Sequence, residues 1–333
     1  MFRMKVIITG GAGFLGARLA RRLLERGALQ SADGRAGSID RIVLVDVTTP
    51  PALDDPRVSA VTGDLSDPAL AGRLVDADTT SVFHLAAIVS GMAEADFDLG
   101  MRINVDATRN LLEACRASGR CPRVVFTSSV AVFGGTLPER ISETTALNPQ
   151  TSYGVEKAIG ELLLADYTRK GFVDGRALRL PTISVRPGRP NAAASSFASG
   201  IIREPLNGEE AICPVGPDAR MWLASPDTAI ETLIAAHELP SAALGNCRWI
   251  NAPGISVTVG DMVAALERCA GPEVARRVRW QADPTIERMV RGWPGDGDNT
   301  RARALGFPVD AGIDAIIEQY MQERSPAHAR TLK

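Results

Sequence analysis

The stretch Lys5-Val6-Ile7-Ile8-Thr9-Gly10-Gly11-Ala12-Gly13-Phe14-Leu15-Gly16 decides the fold. Lys5–Thr9 is a short apolar run, the pattern of a buried strand, and Phe14–Arg26 continues as an amphipathic helix. Between them stand Gly10, Gly13 and Gly16. Their spacing suits a tight turn, a close backbone approach to a diphosphate, and close packing of helix on strand. The free N–H groups at the helix start face the anion. A glycine trio alone is a weak signal. Directly after a first strand and before a helix, it specifies a dinucleotide-phosphate site.

The same alternation runs outward from this turn. Arg41–Asp46, Val58–Gly63, Ser81–Ala87, Arg123–Ser128 and Arg176–Leu180 read as strands, with Asp98–Ala117 and Ser152–Lys170 as helices between them. Apolar strands separated by helices imply a parallel sheet covered on both faces. The expected fold is α/β, a Rossmann-type doubly wound parallel sheet with a smaller C-terminal substrate-binding lobe. After Leu180 the pattern changes. Arg186-Pro187-Gly188-Arg189-Pro190 is dense in Pro and Gly, and a small-residue run, Ala192–Ser196, follows. Cys247–Asn251 reads as a last strand, and Val259–Cys269 and Ala311–Arg324 as helices of the lobe. The division expected is 1–185, with part of 221–252, for the nucleotide-binding domain, and 186–220 with 253–325 for the lobe. The Gly- and Ser-rich segment Gln30–Asp40 reads as a solvated loop, and the tail after Ser325 as a frayed end.

The totals agree with an ordinary enzyme. A length of 333 residues allows two domains, or one α/β unit with an appended lobe. The 37 basic and 39 acidic residues nearly cancel, which gives no electrostatic case for nucleic acid or an anionic membrane. Five cysteines, an odd number without a CxxC pair, read as free thiols in a reducing cytoplasm, and no metal site is expected. Val6–Ile8 is too short for a signal peptide, and no stretch approaches the roughly 20 apolar residues of a membrane span.

Two constellations carry the chemistry. Asp46 ends the second strand, where a carboxylate accepts hydrogen bonds from the adenosine ribose and repels a 2′-phosphate. Val47-Thr48-Thr49 supply no Arg to offset it, so NAD is favoured over NADP. Tyr153 and Lys157 lie four apart on a helix and share one face. A tyrosine has a reference pKa near 10 and is a poor base at neutral pH. A neighbouring ammonium favours the phenolate, as does the positive nicotinamide ring. Ser129 closes a strand and can hydrogen-bond the reacting hydroxyl; Ser128 is the alternative. Tyr153 would take the hydroxyl proton while hydride leaves the same carbon.

Thr9–Gly16, Gly63-Asp64-Leu65, His84-Leu85-Ala86-Ala87, Asn104-Val105, Thr127-Ser128-Ser129 and Tyr153-Gly154-Val155-Glu156-Lys157 together resemble the extended short-chain dehydrogenase/reductase family, that of the nucleotide-sugar epimerases and dehydratases. The resemblance covers nearly the whole chain. It implies that Gly10, Gly13, Phe14 and Leu15 line the diphosphate, that Asp64 and Leu65 meet the adenine, and that Leu85, Ala86 and Ala87 line the cofactor. It further implies that Asn104 buttresses the site, that Lys157 holds the nicotinamide ribose, and that Ser129 rather than Ser128 is the catalytic hydroxyl. His84 reads as structural. The family also implies a homodimer through the two long helices.

Ala86–Gly91, Val130–Gly135 and Arg186–Phe197 narrow the resemblance to a subgroup that oxidises a four-carbon sugar acid at C2 with NAD. Arg220-Met221-Trp222-Leu223-Ala224-Ser225-Pro226-Asp227 stands where nucleotide-sugar members carry an arginine for the diphosphate. A guanidinium fork suits a carboxylate equally well, so Arg220 is a candidate for the acid group, against a plain salt bridge. Ser90 and Asn191 are further candidates for the substrate pocket. Two other readings compete: a nucleotide-sugar epimerase or dehydratase that keeps NAD bound, and a catalytically silent NAD sensor. Val130-Ala131 after Ser129, where dehydratases put acid/base residues, argues against dehydration. An intact Ser129, Tyr153 and Lys157 argues against silence.

Overall fold

Val6, Ile7 and Ile8 have no exposed surface, because strands flank them on both edges and side chains cover both faces. They belong to the first strand of a computed structural model that describes residues 2–31, 34–188 and 193–324. In chain order its strands are β1 (Phe2–Thr9), β2 (Ala28–Gln30), β3 (Ala36–Asp46), β4 (Val58–Thr62), β5 (Thr79–His84), β6 (Arg123–Ser129), β7 (Asp174–Leu180), β8 (Thr182–Ile183), β9 (Ala211–Cys213), β10 (Arg220–Ala224), β11 (Trp249–Asn251), β12 (Ile255–Thr258) and β13 (Val278–Trp280).

The main sheet runs β4-β3-β1-β5-β6-β7-β11, all parallel, with the short β2 antiparallel to β3. This is the doubly wound order, and it reverses between β1 and β5. In such sheets ligands bind outside the strand C-termini at that reversal. Here those ends are Thr9 and His84.

Side chains alternate across the strands, so each strand feeds two cores. Ile8, Leu44, Phe83, Val125 and Leu178 face Leu19 and Leu23 of the helix Phe14–Arg26 and Leu233 and Ile234 of the helix Pro226–Glu238. Ile7, Val43, Val82, Val124 and Phe126 face Leu111 and Leu112 of the helix Ala107–Ser118 and Leu164 of the helix Ser152–Arg169. Each fully buried Leu or Ile contributes roughly 1.5–3 kcal/mol. A separate core gathers Ile201, Ile202, Met221, Leu223, Val259, Met262, Leu266, Ile316 and Ile317. It packs on the small sheet β12-β10-β8. No helix among the described residues is long and apolar enough to cross a membrane.

The helix Phe14–Arg26 has the expected bounds, closed by Gly27 in the left-handed conformation at φ 66°. Three expectations need correction. Gln30–Asp40 is not a solvated loop: β2 and the start of β3 pair antiparallel, Ala28 opposite Ser38 and Gln30 opposite Ala36. Leu29 and Ile39 bury into the first core and pull both arms onto the sheet. The strand expected to reach Ala87 ends at His84, because Leu85 and Ala86 turn their N–H groups onto the Thr9 hydroxyl. The segment Asp98–Ala117 is helical but not uniform. Met101–Asp106 forms a π-helical turn between the helices Phe97–Gly100 and Ala107–Ser118. The expected fray after Ser325 lies outside the described residues.

Candidate active site

The glycine turn packs directly on the end of β5. Gly10 has φ +71°, and a Cβ there would lie 2.9 Å from Ala86 N. Only glycine fits. Gly13 caps the following helix without a side-chain bond, and the first intrahelical bond runs from Ala17 N to Gly13 O. The N–H groups of Phe14, Leu15 and Gly16 therefore remain free for an anion, as the dinucleotide reading requires.

Asp46, at the end of β3, accepts from Ala12 N at 3.0 Å and Thr48 N at 3.2 Å. Its carboxylate is thus fixed beside the turn. Asp64 accepts from Ser66 N at 2.8 Å and from Arg102 Nη1 at 2.6 Å. Burial opposes its ionisation, but those hydrogen bonds and the Arg102 charge hold the carboxyl below its ordinary range. Leu65 beside it is buried in the core.

A cleft opens at the reversal point. Of the expected residues, Gly10, Gly13, Phe14, Leu15, Leu85 and Ala87 line its cofactor end. Ser90, Ser129, Tyr153, Lys157 and Arg220 line it farther on. Asp46, Asp64, Leu65, Ala86 and Asn104 stand behind or beside the wall rather than in it, and Asn191 lies outside the described residues.

The helix Ser152–Arg169 sits close enough to β6 to bring Tyr153 to Ser129. A Cβ on Gly154 would lie 2.2 Å from Ala131 O, so a larger residue would push the helix away. Thr151 caps this helix, accepting from Gly154 N at 3.2 Å. Tyr153 is half-buried, and its phenol lies near enough to the Ser129 hydroxyl for that group to favour its ionised form. Burial pushes its phenol up to about 12, against the pull of that hydroxyl. Lys157 is buried, with Nζ 4.8 Å from the centre of the Phe126 ring and 5.7 Å from that of Tyr153. Burial brings its ammonium down to about 8, against the charges of Glu156 and Glu161.

Ser128 is committed elsewhere: its hydroxyl donates to Glu161, which is paired with Arg179 at 2.7 Å in the sheet interior. His84 is structural. Its Nδ1 meets Thr9 Oγ1 at 2.7 Å and its Nε2 meets Thr108 Oγ1 at 2.9 Å. Burial, and then the Lys157 charge, pull it down to about 3, so it stays neutral.

Asn104 sits on the π-helical turn and holds three elements together. Its Oδ1 accepts from Ile88 N at 3.0 Å, and its Nδ2 donates to Ile88 O at 3.2 Å and to Glu156 Oε2 at 2.6 Å. It therefore braces both the loop after β5 and the helix that carries Tyr153 and Lys157. A π-turn inside a helix often marks such a functional position. Arg220 is exposed at the cleft's edge, where Nη1 donates to Ser256 Oγ at 3.2 Å. Asp227 pairs with Arg18 instead of facing the cleft.

The sequence reading missed Arg186, Ser195, Trp222, Met289 and Trp293, which complete the lobe side of the cleft. Met289 and Trp293 had no signal, being remote in sequence and held there by tertiary packing. Arg186 had one: a charged residue inside a motif quoted for its likeness to the sugar-acid subgroup.

The NAD dependent epimerase/dehydratase family matches residues 6–245, well over half of the chain. A D-erythronate dehydrogenase from Cupriavidus necator is 60% identical over 320 residues, 96% of this chain and 98% of that one. A D-erythronate dehydrogenase from Haemophilus influenzae is 48% identical over 320 residues, 96% and 99% of the two chains. Among solved structures, a nucleoside-diphosphate-sugar epimerase from Agrobacterium tumefaciens superposes with a TM-score of 0.91 at 44% identity, covering 97% of this chain and 95% of that one.

Proposed function

The chain belongs to the NAD dependent epimerase/dehydratase family, and from that premise we propose that it oxidises the C2 hydroxyl of D-erythronate to the 2-oxo acid with NAD. The observation that carries this reading is the near full-length match to two D-erythronate dehydrogenases. The cleft supports it, because Ser129, Tyr153 and Lys157 meet beyond the cofactor end.

When bound along the glycine turn, NAD would supply the acceptor for the hydride on C2. Gly10, Gly13, Phe14 and Leu15 hold its diphosphate, Asp46 its adenosine ribose, and Asp64 and Leu65 its adenine. Leu85 and Ala87 form the wall beside it, with Ala86 behind them. Ser129 hydrogen-bonds the substrate hydroxyl and orients it. Tyr153 accepts that hydroxyl's proton on its phenolate oxygen as the C2–H bond breaks. Lys157 keeps a positive charge near the phenol and holds the nicotinamide ribose. In the free protein burial keeps Tyr153 protonated; the positive charge of the bound cofactor lowers that barrier. Ser90 flanks the substrate, and Arg220 draws anions to the entrance.

We further propose that residues 1–185 with part of 221–252 form the cofactor domain, and 186–220 with 253–325 the substrate lobe; two separate cores support a two-part division, although Ala302 and Phe307 pack in the first core and Val185, Met221 and Leu223 in the second. A homodimer through the helices Ala107–Ser118 and Ser152–Arg169 and the segment before them is supported by exposed apolar side chains there: Met92, Phe97, Val155 and Leu162. Five unpaired cysteines suit a cytoplasmic setting.

The Agrobacterium match favours one second reading, a nucleotide-sugar epimerase that retains NAD. The higher identity to the dehydrogenases weighs against it. Incubation with NAD and either D-erythronate or a nucleotide sugar tests the choice: the dehydrogenase releases NADH with the acid, and the epimerase releases none with either.

A further inference from the structure

Arginines drawn into this protein's interior are matched by acids. Arg123 and Arg176 share Asp174, Arg179 pairs with Glu161, and Arg203 with Glu204. Arg186 is not so matched, and among the described residues its guanidinium also lacks the backbone carbonyl acceptors that serve the half-buried Arg277 and Arg301. It is half-buried on the cleft wall, and among the described residues no carboxylate lies within ion-pair distance of it. Its guanidinium has five N–H donors. Among the described residues their one hydrogen bond is a long contact, 3.5 Å, from Nη2 to Ser195 Oγ.

The backbone behind this side chain is fixed. Arg186 N donates to Ser199 Oγ at 3.1 Å, and Arg186 O accepts from Arg203 Nη1 at 2.8 Å. Arg203 is itself buried. Two clamps on one residue's peptide groups hold it while its head stays free, which is the arrangement of a preorganised receptor. Arg186 also lies close enough to Tyr153 for their charges to interact. Burial and the neighbouring Arg203 pull its pKa down, yet an arginine keeps its proton at any working pH. A stranded positive charge thus faces the cleft beside the reacting phenol. A planar anion offering two oxygens would satisfy it bidentately.

Resting on the dehydrogenase reading, we propose that Arg186 is the receptor for the substrate carboxylate. The acid group sits next to C2, so a receptor beside Tyr153 brings the C2 hydroxyl to the phenol. Arg220 is less suited: it is exposed, at the rim, and already bonded to Ser256. The chemistry required of the ligand is a carboxylate directly attached to the carbinol carbon, a 2-hydroxy acid. A diphosphate could satisfy the same guanidinium, and the test separates the two.

Arg186→Gln, Arg186→Lys and Arg220→Gln are compared with the native full-length protein for kcat and KM on D-erythronate, for NAD affinity, and for calorimetric binding of D-erythronate and of uridine diphosphate to the NADH-loaded protein. Removing one partner of a buried charge pair should cost about 10²-fold in kcat/KM for Arg186→Gln, chiefly through KM. Arg186→Lys should fall between it and the native protein, Arg220→Gln should lose less than either, and NAD affinity should hold in all three. Retained NAD binding also certifies that the variants fold. Native kinetics in Arg186→Gln would overturn the inference. So would an equal loss of NAD affinity, which would make Arg186 a cofactor contact, or uridine diphosphate binding that depends on Arg186 while D-erythronate binding does not. Should the native protein bind D-erythronate through Arg186 yet form no NADH, the dehydrogenase reading falls and the receptor stands.

Discussion

Ser128 and Ser129 are neighbours in β6, yet their hydroxyls serve different ends of one helix: Ser128 donates to the buried Glu161 in its middle, and Ser129 lies beside Tyr153 in its first turn, at the cleft. Successive side chains of a strand point different ways, so the two hydroxyls reach different partners. The two positions therefore separate stability from catalysis. Ser129→Ala should lower kcat by about 10²–10³-fold, the cost of losing one donor aimed at a reacting oxygen. Ser128→Ala should turn over at close to the native rate and lose about 1–2 kcal/mol of stability, because Glu161 loses a partner. Steady-state rates and denaturant midpoints for both variants check the pair; a larger kcat loss in Ser128→Ala would exchange the roles.

With NAD bound as proposed, Asp46 would govern the choice of cofactor. Its carboxylate is held against Ala12 N, where a 2′-phosphate would meet a fixed negative charge. Asp46→Ala should raise KM for NAD and narrow the NAD/NADP preference by about 10–10²-fold, the effect of one charge-assisted hydrogen bond. Initial rates with both cofactors measure it. A native protein that works faster with NADP would refute the assignment.

Lys157 links catalysis to stability through pH. Its burial lowers the ammonium from 10.5 to about 8. Below pH 8 the lysine is charged in both folded and unfolded chains, and the folded protein bears the whole desolvation cost. Between about 8 and 10.5 the folded chain releases its proton first, so the unfolded state binds more protons and stability rises with pH. Lys157→Met lacks this gain. It should be inactive and at least as stable as the native protein at pH 7, and its advantage should shrink as pH rises from 8 to 10. Melting temperatures of both proteins across that range test the sign. A gap that does not shrink with pH would show that the native lysine keeps its charge.

Much of this was readable because local chemistry and fold agreed. The helix Phe14–Arg26 is bounded by Gly13 and Gly27, and Tyr153 and Lys157 share a face through spacing alone. The rest depended on distant partners. Leu29 and Ile39 turn a Gly- and Ser-rich stretch into a hairpin only because the sheet core receives them. The π-helical turn at Asn104 rests on bonds to Ile88 and Glu156, which no helical period contains. Arg186 read as part of a Pro- and Gly-rich loop because the clamp from Arg203, seventeen residues on, is invisible before folding.

Net oxidation of a sugar acid is what separates a dehydrogenase from an epimerase here. The most direct measurement incubates the native protein with excess NAD and a limiting amount of D-erythronate, and determines NADH formed, acid consumed and 2-oxo acid produced. The account predicts one NADH and one 2-oxo acid for each acid lost, with Tyr153→Phe slower by about 10²–10⁴-fold while still binding NAD. No NADH from D-erythronate, together with inversion of a nucleotide sugar at constant total NAD, would contradict it.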